Sequence, residues 1–141
     1  MKIEIRYDRG LTPVYGDKVY DDCLSFDIEP SGKENVEISS DGHKKKKTES
    51  KKVKEILNKI LECNYQKVFF EMGSNLGLDG TSLSVKAGDF FNNVEVHMWL
   101  PSVERFKESG WKESARLLSY VMELLVIAES LGYQIDPGLK P

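Results

Sequence analysis

Residues 111–131 read WKESARLLSYVMELLVIAESL, and the fold turns on how this stretch is read. Leu117, Leu118, Val121, Met122, Leu124, Leu125, Ile127, Ala128 and Leu131 recur at helical spacing so densely that most of the helix circumference is apolar. That pattern predicts a helix buried in the core. Glu123 interrupts the apolar run, which is shorter than the roughly 20 residues a membrane span needs, so the helix is expected to pack inside a domain rather than cross a bilayer. Gly132 stands where a residue past a helix end adopts the left-handed conformation, and Tyr133 is placed to fold back on the last turn.

Outward from this helix the chain breaks into short alternating segments. Ile3, Ile5 and Tyr7 alternate with Lys2, Glu4 and Arg6, the period-2 pattern of a half-buried strand. Tyr20, Leu24, Phe26 and Ile28 alternate with Asp21, Cys23, Ser25 and Asp27 as a second strand. Val36 and Ile38 resume the alternation beyond Pro30-Ser31-Gly32, so strands two and three are expected to form a hairpin. Val53, Ile56, Leu57, Ile60 and Leu61 make one helical stripe, capped by Thr48 or Ser50 and ended by Asn64. Residues 66–72 read as a fourth strand, with Val68, Phe70 and Met72 on one face and Lys67, Phe69 and Glu71 on the other. Residues 81–87 and 93–99 form a hairpin around Asp89-Phe90-Phe91-Asn92. Keeping Leu83, Val85, Val94 and Val96 on one face sets Lys86 opposite Glu95, Ser84 opposite His97 and Ser82 opposite Trp99. Pro101 ends the sheet, Ser102 caps a short helix through Ser109, and Gly110 separates it from the long one. The order βββ-α-βββ-α predicts an α+β fold: a single antiparallel sheet of about six strands, two main helices on one face, and a wet opposite face.

At 141 residues the chain suits one domain, residues 1–141, with a core large enough to need no metal or disulfide staple. Cys23 and Cys63 form no CxxC pair, which points to reduced thiols and a cytoplasmic setting. The N-terminus, MKIEIRYDRG, lacks an apolar secretory segment, so the mature chain is expected to begin there. The net charge of −3 conceals an asymmetry. Residues 1–40 carry nine acids and five bases, residues 41–54 two acids and seven lysines, and residues 55–141 twelve acids and eight bases. The body is acidic around one basic loop at about 41–50, and DGHKKKK at 41–47 is expected to be mobile and exposed. Seven lysines in one run on an acidic body, without arginine or interleaved aromatics, argue against nucleic acid as the partner.

Two surfaces stand out as candidate partner-binding sites. One is the wet face of strands four to six, where Phe69, His97 and Trp99 supply the composition of an interface patch. The other is acidic and comprises Asp21, Asp22, Asp27 and Glu29. Catalytic readings are weaker. His97 beside Glu95 and Ser84 invites an acid–base reading, but Ser84 lies in no nucleophile elbow and Glu95 and His97 are ordinary exposed strand residues. The other histidine, His43, lies in the lysine run, away from any ligand cluster. GSNLGLDG lacks a phosphate-loop pattern and runs into a strand, while Asp41, Asp79 and Asp89 are turn formers before they are calcium ligands. No metal or other cofactor is implied.

Leu78-Asp79-Gly80-Thr81-Ser82, a second strand ending in Trp99 and the Leu-rich C-terminal helix together resemble small bacterial orphan α+β proteins, including immunity proteins encoded beside secreted toxins. The resemblance spans about residues 76–131 and transfers no catalytic or binding residue. It implies a cytoplasmic, non-enzymatic inhibitor, and an acidic one where the toxin is a basic nuclease. A protein-binding, immunity-like inhibitor is therefore the leading expectation. The alternatives are a small hydrolase using the sheet face and a nucleic-acid adaptor using the lysine-rich loop.

Overall fold

A computed structural model describes residues 1–8, 20–28, 35–40, 45–73, 81–89 and 92–135. Six strands and four helices lie among these residues: β1 (Lys2–Asp8), β2 (Cys23–Ile28), β3 (Val36–Ser40), β4 (Lys45–Thr48), α1 (Lys51–Glu62), α2 (Tyr65–Met72), β5 (Ser82–Gly88), β6 (Asn93–Trp99), α3 (Val103–Glu108) and α4 (Lys112–Ser130). The strands form one antiparallel sheet in the order β4-β3-β2-β1-β5-β6, so the N-terminal strand sits inside it and joins the two hairpin halves. The α+β class and the antiparallel sheet expected from the sequence are what the chain adopts.

The period-2 pattern dictates the layering. Ile3, Ile5, Leu24, Phe26, Val36, Ile38, Leu83, Val85, Val96 and Met98 are buried on one face, in one cluster with Val53, Ile56, Leu57 and Ile60 of α1 and the apolar stripe of α4. All four helices contribute to that cluster, and α4 touches each of the other three. The long helix earns its central place chemically: Leu117, Leu118, Val121, Leu124 and Ala128 are fully buried.

The β5–β6 register is the expected one, with Lys86 across from Glu95, Ser84 from His97 and Ser82 from Trp99. Gly88 closes the hairpin at φ 133°, where a Cβ would lie 2.2 Å from the Asn92 carbonyl oxygen, so only glycine fits. Ser50 caps α1 through the Val53 N–H at 3.3 Å, and Ser102 caps α3 through the Arg105 N–H at 3.3 Å.

Helix α4 ends as its sequence requires. The Gly132 N–H donates to the Glu129 carbonyl (3.0 Å) and the Tyr133 N–H to the Ala128 carbonyl (3.1 Å), with Gly132 at φ 102°. Tyr133 is buried and its hydroxyl donates to the Ile38 carbonyl at 2.8 Å, which ties the helix end to β3. Gly132→Ala should cost about 1–2 kcal/mol in urea melts, because a side chain is strained at that φ and its Cβ would lie 2.9 Å from Lys46 Nζ. An unchanged midpoint would show that the cap is not needed.

Expectations for three segments are corrected. Residues 66–72 are not a strand but belong to α2. Val68 and Met72 are buried one helical turn apart, and the Asn64 side chain, expected to end α1, instead accepts the Lys67 N–H at 3.0 Å as the α2 N-cap. The alternation of Val68, Phe70 and Met72 misled because Phe70, read as facing the core, is 88% exposed. Among the described residues the element order is accordingly ββββ-αα-ββ-αα, with four helices rather than two main ones and a short third.

The lysine run is corrected as well. Lys45–Thr48 is strand β4, paired with β3 so that Lys47 lies across from Glu37. Lys46, on the helix side, donates to the Leu131 carbonyl at the end of α4 and sits 5.7 Å from the Tyr133 ring centroid. A cation beside the partial negative charge of a helix C-terminus explains how a strand without apolar residues holds its place. Residues 41–44 of the run, like the Gly-rich connection at 74–80, lie outside the described residues. The second strand begins at Cys23 rather than Tyr20.

Candidate functional site

The wet face of the sheet is a charge ladder. Across the strands run Lys47, Glu37, Asp27 and Lys2 in one row, and Glu4, Lys86 and Glu95 in the next. Opposite charges thus neighbour one another over most of the face, which neutralises it locally and leaves no single-sign field to steer a ligand. Where Met1, Glu4, Lys86, Asp89 and Asn93 meet, the face carries an open depression of about 360 Å³, and the N-terminal amine lies 3.6 Å from Asp89 at its rim.

His97 and Trp99 do lie on this face, but each has local work. The His97 imidazole turns to Glu95 on its own strand, with Nε2 3.5 Å from Oε1 and both side chains well exposed. Trp99 is half-buried. Its carbonyl accepts from Arg105 Nη2, which also donates to the Leu100 carbonyl at 3.0 Å, and the guanidinium lies 5.9, 5.1 and 5.8 Å from the rings of Trp99, Phe106 and Trp111. These bonds hold Leu100 at φ 48°, a conformation a leucine otherwise avoids. Arg105 is thus a packed hub at the end of β6, and Trp99 forms one wall of it.

Phe69 is not on the sheet face. It belongs to α2, whose Val68 and Met72 pack into the core on the opposite side of the sheet from His97, so the expected grouping of Phe69, His97 and Trp99 does not form. What α2 presents instead is an aromatic pair, Phe69 at 50% and Phe70 at 88% exposure. Successive helical residues are 100° apart, which puts Phe70 almost opposite the buried stripe and Phe69 on the flank away from Glu71. Phe70 was missed because a strand reading turned it inward. The signal that would have found it is Asn64 as a cap with Tyr65, Val68 and Met72 at helical spacing.

Glu71 fixes this helix. Its Oε1 accepts the Ser114 N–H and hydroxyl, both at 2.8 Å, and its Oε2 accepts the Glu113 N–H at 3.2 Å. In return Glu113 accepts the Asn64 N–H at 3.0 Å and lies 3.6 Å from Arg116. Each carboxylate serves the N-terminus of the other's helix, so α2 and α4 hold each other in place.

The expected acidic surface is divided. Asp21 and Asp22 precede β2 and Asp27 is near its far end, about five residues or roughly 17 Å along the strand; Glu29 lies outside the described residues. Asp21 is committed to structure: its carboxylate accepts the Gln134 N–H at 2.7 Å and its own N–H donates to the Gln134 carbonyl at 2.8 Å. Together with burial, its charge raises the pKa of Tyr133. The Asp22 carbonyl accepts the Tyr7 N–H at 2.7 Å, and Asp27 stands between Lys2 and Glu37.

Cys63 is buried and its pKa is pushed up to about 11, first by burial and then by the negative charge of Glu113, so its thiol stays protonated at neutral pH. Burial also raises the pKa of Tyr65, whose hydroxyl donates to the Ile60 carbonyl at 2.7 Å. Among the described residues no group of three or more His, Cys, Asp or Glu side chains is placed to hold a metal ion, and no helix is long and apolar enough to cross a membrane. Compared with family models, curated proteins and solved structures, the chain finds no significant match.

Proposed function

We propose that this chain is a protein-binding module, in its most specific form an immunity-like inhibitor of a basic nuclease toxin, and that it grips its partner through Phe69 and Phe70 on α2. The observation that carries the reading is Phe70, 88% exposed on a helix whose other side is locked to α4. A large aromatic held in water on a rigid element gives up little conformational entropy on binding, which is the economy of an interface anchor. The charge distribution supports the basic partner. Lys45–Lys47 lie on β4 at one edge of the sheet, whereas α2 touches β6 at the other, about 24 Å away across five strand spacings. The lysine-rich edge is thereby set apart from the aromatic pair of α2.

Lys46 at the α4 terminus and Lys47 opposite Glu37 have structural work, which withdraws support from a nucleic-acid adaptor. The hydrolase alternative has no observation in its favour.

The test pairs the purified chain with the product of the adjoining gene. Phe70→Ala should weaken binding by about 2 kcal/mol, roughly thirtyfold in Kd, mainly through faster release and with little salt dependence. Asp22→Lys with Asp27→Lys should change the association rate little at any salt, because the two acids stand at opposite ends of β2 and Asp27 lies in the neutralised ladder; Asp21 is left alone because its substitution would break the Gln134 clamp. If Phe69→Ala and Phe70→Ala fold normally and neither affinity nor protection from the toxin changes, the reading is wrong.

A further inference from the structure

We infer that two copies of this chain associate by pairing β6 with β6 of a second copy, antiparallel about a two-fold axis at Val96, to make one continuous sheet. The two sheet edges are built differently. The β4 edge is four residues long and three of them are lysine, so a second copy there would set lysine beside lysine, a standard block to edge pairing. The β6 edge is seven residues long and alternates Val94, Val96 and Met98 with Asn93, Glu95, His97 and Trp99. A long edge strand with an apolar inner row and no lysine is the kind that templates pairing.

The hydrogen-bond phase fixes which groups are offered. The Leu100 N–H donates to the Thr81 carbonyl and the Asp89 N–H to the Asn92 carbonyl, so the even-numbered residues of β6 bond to β5. The odd-numbered ones, Asn93, Glu95, His97 and Trp99, therefore turn their N–H and C=O groups outward. The outward direction is visible at Trp99, whose carbonyl is the one Arg105 reaches. Two antiparallel copies must match odd residues with odd residues, which leaves few registers. Centring on Glu95 would stack Glu95 on itself, and centring on His97 would stack His97 on itself. Centring on Val96 sets Glu95 across from His97 of the second copy twice, with Val96 meeting Val96 on the core side, while the Trp99 carbonyl at each end stays with Arg105 and adds no bond to the ladder. The side chains already sit 3.5 Å apart within one strand, so the pairing closes them into a four-membered group.

Sedimentation of the full chain across 1–100 µM should show a monomer–dimer equilibrium. His97→Pro removes only an outward N–H, leaves the β5–β6 ladder intact, and should abolish the dimer. His97→Glu puts glutamate opposite glutamate and should weaken dimerisation at least tenfold, whereas Glu95→Lys combined with His97→Glu puts lysine opposite glutamate and should recover the dimer to within about threefold. A wild-type chain that is monomeric at 100 µM overturns the inference, as does dimerisation that His97→Pro and His97→Glu leave intact or that the charge swap fails to restore.

Discussion

Leu125→Ala is expected to lower stability by about 2–5 kcal/mol, the largest loss of any substitution considered for this chain. Leu125 is 4% exposed and belongs to the single cluster that joins α4 to the sheet and to the other helices. Truncation removes the transfer free energy of the lost carbons and leaves a cavity that neighbours such as Leu124 and Val121 cannot collapse into without leaving their own contacts. Because a domain of this size has a net stability of only about 5–15 kcal/mol, the variant should show a markedly lower urea midpoint and remain two-state. A loss below about 1 kcal/mol would mean that α4 is not the centre of the core.

Glu71→Ala is expected to cost about 2–3 kcal/mol, with no loss of buried apolar area to account for it. Trp111, at the α4 N-cap position, supplies no side-chain cap bond, so the first turn depends on a carboxylate from another helix. Removing it strands the Glu113 N–H, the Ser114 N–H and the Ser114 hydroxyl, and Ser114 is fully buried, where water cannot replace the lost acceptor. The favourable meeting of a negative charge with the helix N-terminus is lost with it. Glu71→Gln keeps one acceptor and should cost about 1 kcal/mol. Equal stability of Glu71→Ala and wild type in urea melts would refute the cap. Since Glu71 also orients α2, the same variant should loosen partner binding through Phe70 without touching the interface.

Much of the fold was legible. The α4 stripe, the α1 stripe with Ser50 ahead of it, the Gly132-Tyr133 terminus and the β5–β6 register all follow from spacing among residues close in sequence. Of the expected partner surfaces, only His97 and Trp99 share a face as read. Phe69 was assigned to a sheet, Phe70 was turned inward, and the four acids were taken as one patch when those described occupy both ends of β2. An eight-residue segment such as 65–72 satisfies both periods, and local pattern gives no reason to prefer one.

That residues 112–130 are a buried helix, that the strands alternate and that seven lysines cluster in one run all rest on the spacing or composition of neighbouring residues, and so can be read without the fold. That 65–72 is helical, that 45–48 is an edge strand and that β1 lies between β2 and β5 depends instead on contacts between distant segments. Glu71 finds its donors 42 and 43 residues away and Lys46 its carbonyl 85 residues away. Such partners meet only after the chain has folded, and their contribution then outweighs the weak local preferences that a sequence displays.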